Sequence, residues 1–126
     1  MGTVMNEKRK RGDFGELLAQ RHLEKLGYRL IERGYTTRFG EIDLIMLDGD
    51  FVVFVEVKTR KNADFGEARE FVTAAKQKRC RTTAQIWLLS HESDELQPRF
   101  DVIEVYAENC AETREPRVVH IENAFE

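Results

Sequence analysis

The stretch Phe51-Val52-Val53-Phe54-Val55-Glu56-Val57-Lys58-Thr59 decides how the chain folds. Its unbroken β-branched and aromatic run predicts a strand covered on both faces, in the middle of a sheet. Period-2 alternation puts Val52, Phe54, Glu56 and Lys58 on one face, with Val53, Val55 and Val57 on the other. Glu56 therefore enters a run that otherwise demands burial. An unpaired buried carboxylate costs several kcal/mol, comparable with a whole domain's margin of stability. Something must compensate it, and Lys58, on the same face, supplies one positive charge.

Just before this run, Asp48-Gly49-Asp50 is a hairpin signal of the Asp-Gly type, so Glu41 to Leu47 reads as the partner strand. Asp43, like Glu41, is expected on the face opposite Ile42 and Leu44. Counted from the bend, Asp43 and Glu56 fall across from or diagonal to one another. Tyr28 to Tyr35 alternates and reads as an earlier strand, followed by a turn at Arg38, Phe39 and Gly40. Upstream, a helix is expected from Asp13 as N-cap to Leu26, stopped by Gly27. Ala19, Leu23 and Leu26 share its apolar stripe, with Leu18 on the flank and Glu16 at the margin. Residues 1–12 read as a mobile basic segment and 13–126 as a single domain.

Downstream of a loop at Asn62 to Gly66, Thr73 caps a helix from Ala74 to Leu89. Ala74, Gln77, Cys80, Ala84, Trp87 and Leu88 follow helical spacing there, with lysines and arginines on the other side. Phe100 to Tyr106 reads as a buried strand, Ala107 to Glu115 as polar loop. Val118, Val119 and Ile121 suggest a short final edge strand. The order is αβββαβ(β), an α/β fold with a central mixed sheet flanked by helices.

The 126 residues allow one domain, and 41% hydrophobic with 34% charged residues is an ordinary globular balance. No apolar run approaches the roughly 18 to 20 residues that span a bilayer, and the charged N-terminus is unlike a secretory signal. A cytoplasmic protein without membrane contact is expected. Cys80 and Cys110 form no CxxC, and His22, His91 and His120 form no ligand spacing, which leaves structural zinc and disulfides unsupported. The net charge of −3 argues against coating nucleic acid by bulk electrostatics. Residues 1–90, however, carry 17 Lys/Arg against 13 Asp/Glu, and residues 91–126 carry 3 against 10. The basic clusters, Lys8 to Arg11, Lys58 to Lys61, and Lys76 to Arg81, suit transient contact with phosphates; a solvated helix face has the same composition.

With Glu16 reaching over from the helix, Asp43, Glu56 and Glu16 are expected to converge beside Lys58. Like charges so placed raise one another's pKa unless a cation sits among them. Oxygen-only ligands select a hard ion, Mg²⁺ or Mn²⁺. Lys58, a compact point charge, would orient a water or neutralise a phosphoryl group in phosphodiester hydrolysis. Arg60 at the strand exit, with Lys76, Gln77 and Arg79, forms the candidate nucleic-acid contact, Gln77 being placed on the active-site side. A surface ion pair explains Glu56 and Lys58 more blandly, and a helix-dipole partner explains Glu16.

Asp43, twelve intervening residues and Glu56-Val57-Lys58 resemble the PD-(D/E)xK nuclease signature of restriction-endonuclease-like proteins. A closer similarity is to the bacterial YraN-like family of largely uncharacterised endonuclease-like proteins. It rests on Gly12-Asp13-Phe14-Gly15-Glu16, on Gly40-Glu41-Ile42-Asp43-Leu44-Ile45 and on Val53 to Arg60. Phe65-Gly66, Lys76 to Arg79 and Arg99-Phe100-Asp101-Val102 extend it. The resemblance implies Asp43 and Glu56 as metal ligands, Lys58 as the catalytic cation and Glu16 as the helix-borne carboxylate. The last also resembles archaeal Holliday-junction resolvases, which implies branched DNA and, with two cuts to make, a homodimer. Ile42 stands where the superfamily has its proline, and Gly34 and Thr36 where the family pattern has Asn and Arg.

Two function classes follow. One is a Mg²⁺-dependent endonuclease acting on DNA in repair or recombination, on branched or single-stranded structures. The other is a nuclease-like binding module serving a helicase or recombination partner, for which the acidic C-terminal third leaves room.

Overall fold

The computed structural model describes residues 3–60, 72–92, 95–107 and 116–126, residues 3–9 as backbone only. Helix α1 (Thr3–Lys25) leads into strands β1 (Arg29–Thr37), β2 (Gly40–Asp48) and β3 (Phe51–Arg60). Helix α2 (Ala74–Ser90) follows, then β4 (Gln97–Tyr106) and β5 (Arg117–Phe125). The strands form one sheet in chain order. Pairing is antiparallel except between β3 and β4, which run parallel. A parallel pair needs a long crossover, and α2 lies within it. The Asn62 to Gly66 loop, Cys110 and most of the Ala107 to Glu115 loop lie outside the described residues.

The alternation in β3 sorts the core into two layers. Val53 and Val55 pack with Leu44, Met46, Ala19 and Leu23 beneath α1. Val52 and Phe54 pack with Ile45, Cys80, Ala84 and Trp87 beneath α2. The fold is thus mixed α/β, with a helix on each face of a five-stranded mixed sheet and β3 at its centre. No helix among the described residues is long and apolar enough to cross a membrane.

The helix ends show which sequence signals decide. α1 stops at a Schellman arrangement: Tyr28 N–H donates to the Leu23 carbonyl, and Gly27 N–H to that of Glu24, both at 3.0 Å. Gly27 takes φ +96°, open to glycine without a Cβ penalty. Leu26 sits at this cap, off the helical stripe, and is 57% exposed rather than buried. Asp13 is not an N-cap, because the helix begins ten residues earlier, at Thr3. Residues 3–12 hold good helix formers and no proline, and Gly12 is tolerated in the interior. In α2, Thr73 caps as expected, accepting the Lys76 N–H at 3.2 Å. Cys80, Thr83, Ala84 and Trp87 are buried, whereas Ala74 is exposed in the first turn. At Gly34 φ is +61°, a region that Asn also enters, so that departure preserves the backbone. The final strand is longer than expected because Phe125 stacks on Phe100 at 5.0 Å and holds the chain end in place.

Two glycines of α1 differ in what surrounds them. Around Gly12 nothing would meet a Cβ within 4 Å, whereas at Gly15 a Cβ would overlap the Thr59 hydroxyl and lie 3.1 Å from Thr59 Cβ. Helix propensity alone favours Ala over Gly by about 1 kcal/mol. Gly12→Ala is therefore expected to stabilise by about 0.5–1 kcal/mol, and Gly15→Ala to destabilise by about 1–3 kcal/mol through overpacking. Urea titration of both variants checks this; the same sign for both would mean that α1 does not seat on β3 at Gly15.

Candidate active site

Strands β2 and β3 pair from the hairpin as far as Leu44 opposite Val55, and the recorded register ends there. The next pair would have been Asp43 with Glu56. Instead Asp43 Oδ2 accepts the Val57 N–H at 2.8 Å, its side chain replacing a backbone partner. This departure from regular pairing also changes which way Ile42 faces. Ile42 joins Ile45 and Phe54 in the layer beneath α2 while Leu44 faces α1, so the two do not share a face as alternation predicts.

The opening between β2, β3 and α2 is a cleft of about 190 Å³ lined by Gly40, Glu41, Asp43, Glu56, Lys76, Arg79 and Cys80. Gly40 lets β2 approach α2 closely: a Cβ there would lie 3.1 Å from Thr83 Oγ1 and 3.4 Å from Arg79 Cβ. Glu56 is 8% exposed. Its Oε1 receives two ammonium groups, Lys76 Nζ at 2.5 Å and Lys58 Nζ at 3.4 Å.

The charges in this group push on one another. Burial, then the Glu56 carboxylate, raises the Asp43 carboxyl to about 8, with Glu16 and Glu41 adding to the effect and the Val57 N–H opposing it. Glu16 is raised too, by burial and by Asp13, Glu41 and Glu56, with Arg33 opposing. Lys58 is lowered by burial and by the neighbouring Lys76. For Lys76 burial works against the charge, but the contact with Glu56 prevails and its pKa rises. Burial lifts the Cys80 thiol to about 11, which keeps it neutral.

The sequence-predicted residues separate into two sets. Asp43, Glu56, Lys76 and Arg79 line one cleft, and Lys58 joins them through Glu56. Glu16 feels Glu41 and Glu56 electrostatically from α1. Among the described residues, however, no three His, Cys, Asp or Glu groups gather closely enough to hold an ion by themselves. A helix carboxylate on the α1 side acts here at electrostatic range. The Gln77 amide donates to the Val72 carbonyl at 3.0 Å. Arg60 ends β3, its carbonyl receiving the Ala107 N–H at 2.9 Å. Glu41 lines the cleft as well, and sequence reasoning missed that Lys76 would be the nearer cation to Glu56. The available signal was the Thr73 cap, which fixes Lys76 in the first turn of α2.

A second charged cluster lies beneath the same sheet. Arg99 holds Asp101 with two bonds of 3.0 and 2.9 Å, Asp48 at 2.9 Å and Tyr28 Oη at 2.5 Å. Asp101, fully buried, also meets His120 Nε2 at 2.7 Å and the Asn123 N–H at 3.0 Å. Burial works against the Asp101 charge, but His120, Arg99 and Asn123 hold its carboxyl below the usual range. Burial also pushes Tyr28 up to about 12. Every polar group named here has a partner, which marks a structural staple joining β2, β4 and β5.

Comparison with known proteins places this geometry in a family. The model of the uncharacterised protein family UPF0102 matches residues 15–105, which include Glu16, Asp43, Glu56, Lys58, Lys76 and Arg99. A UPF0102 protein of Caldanaerobacter subterraneus is 43% identical over 118 residues, covering 94% of this chain and 96% of its own. One from Vibrio parahaemolyticus is 45% identical over 100 residues (79% and 83%), and one from Rhodococcus opacus is 40% identical over 114 (90% and 94%). The chain belongs to the uncharacterised protein family UPF0102, the YraN-like family that its motifs resemble.

Proposed function

We propose that this chain is a metal-dependent endonuclease with a restriction-endonuclease-like core, hydrolysing phosphodiester bonds of DNA. The observation that supports it is the Asp43–Glu56 cleft, two mutually repelling carboxylates with Lys58 alongside. Structural carboxylates are normally neutralised in full; a group held far from its ordinary protonation is a mark of a working site. The donor set fits a hard divalent ion: oxygen ligands only, two carboxylates, and room for the waters that Mg²⁺ retains.

Asp43 and Glu56 would hold Mg²⁺ or Mn²⁺, which supplies Lewis-acid polarisation of a phosphodiester. The remaining work falls to this chain's own groups. Lys58 neutralises charge developing on the phosphoryl oxygens from a half-buried position, where the field of an ammonium is stronger than in water. Arg79 and Lys76, along the α2 wall, bind the flanking phosphates. Glu16, at longer range, adds to the negative field that draws the cation in. Branched or single-stranded DNA, a repair or recombination setting and a homodimer belong to this reading as its finer terms.

The test is cleavage of linear, single-stranded and four-way-junction DNA with Mg²⁺ or Mn²⁺, comparing wild type with Asp43→Asn and Glu56→Gln. Cleavage surviving both substitutions would remove the cleft from the chemistry. One observation favours the other reading, a silent binding module for a recombination or helicase partner: the Lys76 ammonium lies 2.5 Å from Glu56 Oε1 and neutralises that carboxylate. If Lys76 competes with the ion, Lys76→Met should tighten Mn²⁺ binding roughly tenfold, equivalent to about 1.4 kcal/mol. Calorimetric titration measures it. Unchanged or weaker Mn²⁺ binding would show that the lysine does not occupy the ion's place.

A further inference from the structure

All five strands bring a terminus to the same edge of the sheet as the cleft. β1 ends at Thr37 and β2 begins at Gly40; β3 ends at Arg60, β4 at Tyr106, and β5 begins at Arg117. The register aligns them, with Thr37 opposite Gly40, Arg60 beside Tyr106, and Tyr106 opposite Arg117. On one flank of the cleft, the β1–β2 turn carries Phe39, 42% exposed, with the Arg38 guanidinium 4.8 Å from its ring centre. On the other flank, the Arg117 guanidinium lies 4.6 Å from the ring centre of Tyr106.

Each pair is held by its own strand ends. Thr37 Oγ1 accepts the Phe39 N–H at 3.1 Å and donates to the Gly40 carbonyl at 3.4 Å, which fixes the turn next to cleft-lining Gly40. Tyr106 is tethered by its hydroxyl, which donates to the buried Glu104 carboxylate. Glu104 in turn is the register neighbour of Lys58. The acidic cleft is thus bracketed by two arginine–aromatic pairs about three strand spacings apart, roughly 14 Å. A few unpaired nucleotides cover that span.

We propose that these two pairs are stacking platforms for an unpaired stretch of nucleic acid, drawn across the strand ends over Asp43 and Glu56. The proposal rests on the nucleic-acid side of the reading above and narrows its substrate to one with exposed base faces. Phe39 and Tyr106 offer π-surfaces to bases, and Arg38 and Arg117 meet the phosphates on either side. A continuous duplex buries the faces of its bases, so it presents nothing for two separated rings to stack on. The cations Lys76 and Arg79 then lie along the path of the backbone between the platforms.

The experiment measures binding and cleavage separately. Protein carrying Asp43→Asn is titrated into a short fluorescein-labelled oligothymidylate and into a blunt duplex of equal length, following anisotropy. Phe39→Ala and Arg117→Gln in that background are each expected to weaken single-strand binding about tenfold and duplex binding less than about twofold. Equal losses on both ligands, or no loss on the single strand, overturn the proposal. Tyr106→Leu should match Arg117→Gln; if its melting curve shows unfolding, Arg117→Gln decides that flank. Divalent-dependent cleavage by protein with Asp43 intact is scored independently. Cleavage without selective stacking removes the platforms and leaves the nuclease; selective stacking without cleavage does the reverse.

Discussion

Replacing Asp43 by Asn is expected to make the protein more stable and, on the nuclease reading proposed above, inactive. The carboxyl is raised to about 8 by burial and by Glu56, so at alkaline pH the folded protein holds a charge it would rather shed. Asn retains an oxygen to accept the Val57 N–H and carries no charge. The sign follows from linkage. A carboxyl whose folded pKa lies above its unfolded value binds more protons when folded, so wild-type stability falls as pH rises from about 4 toward 8. The variant lacks that decline, and its advantage grows over the same window, from nothing near pH 4 to several kcal/mol at pH 8. Cleavage should fall by on the order of 10³-fold or more, with one carboxylate of the pair gone. Urea titrations at several pH values and a cleavage assay measure the two effects. A destabilised, still active variant would make Asp43 an ordinary structural side chain.

The second large effect concerns the buried staple. Arg99→Met leaves the fully buried Asp101 with only His120 and the Asn123 N–H, and removing one partner of a buried ion pair costs about 3–5 kcal/mol. That is a large share of the 5–15 kcal/mol typical of a domain of this kind. Arg99→Met with Asp101→Leu should recover part of the loss, and a double-mutant cycle over the four proteins gives the coupling. The pH dependence runs opposite to that of Asp43. Asp101 has a depressed folded pKa, so its contribution is present above the unfolded value near 4 and is lost as pH falls through the folded one. A loss under about 1 kcal/mol for Arg99→Met would mean that the cluster holds nothing together.

Much of this was readable in the chain. The apolar run around Glu56 gave a central strand because only a strand covered on both faces tolerates it. Asp48-Gly49-Asp50 and Thr73 located the hairpin and the α2 cap from local chemistry alone. The misreading of Ile42 has a clear cause: periodicity assumes that regular pairing continues. The recorded β2–β3 register ends at Leu44, and from there Ile42 changes face while Asp43 turns to the backbone of β3. The start of α1 was hidden because residues 3–12 carry no cap or break strong enough to mark a boundary. Side-chain reach is likewise absent from spacing. Gln77 bonds the Val72 carbonyl just ahead of its helix, and Glu16 acts on Asp43 and Glu56 through its charge. Arg99 and Asp101 were visible as residues of the family pattern, but their partners come from β2, β5 and the residue just before β1, far apart in the chain.

Where β2 and β3 part, each still leans on an outer neighbour: β1 follows β2 to Gly40, and β4 follows β3 to Arg60. The gap between them is a braced notch, crossed by the bond from the Val57 N–H to Asp43. A site carried on strands so supported holds its carboxylates in position before anything enters, which leaves little ordering to be done on binding.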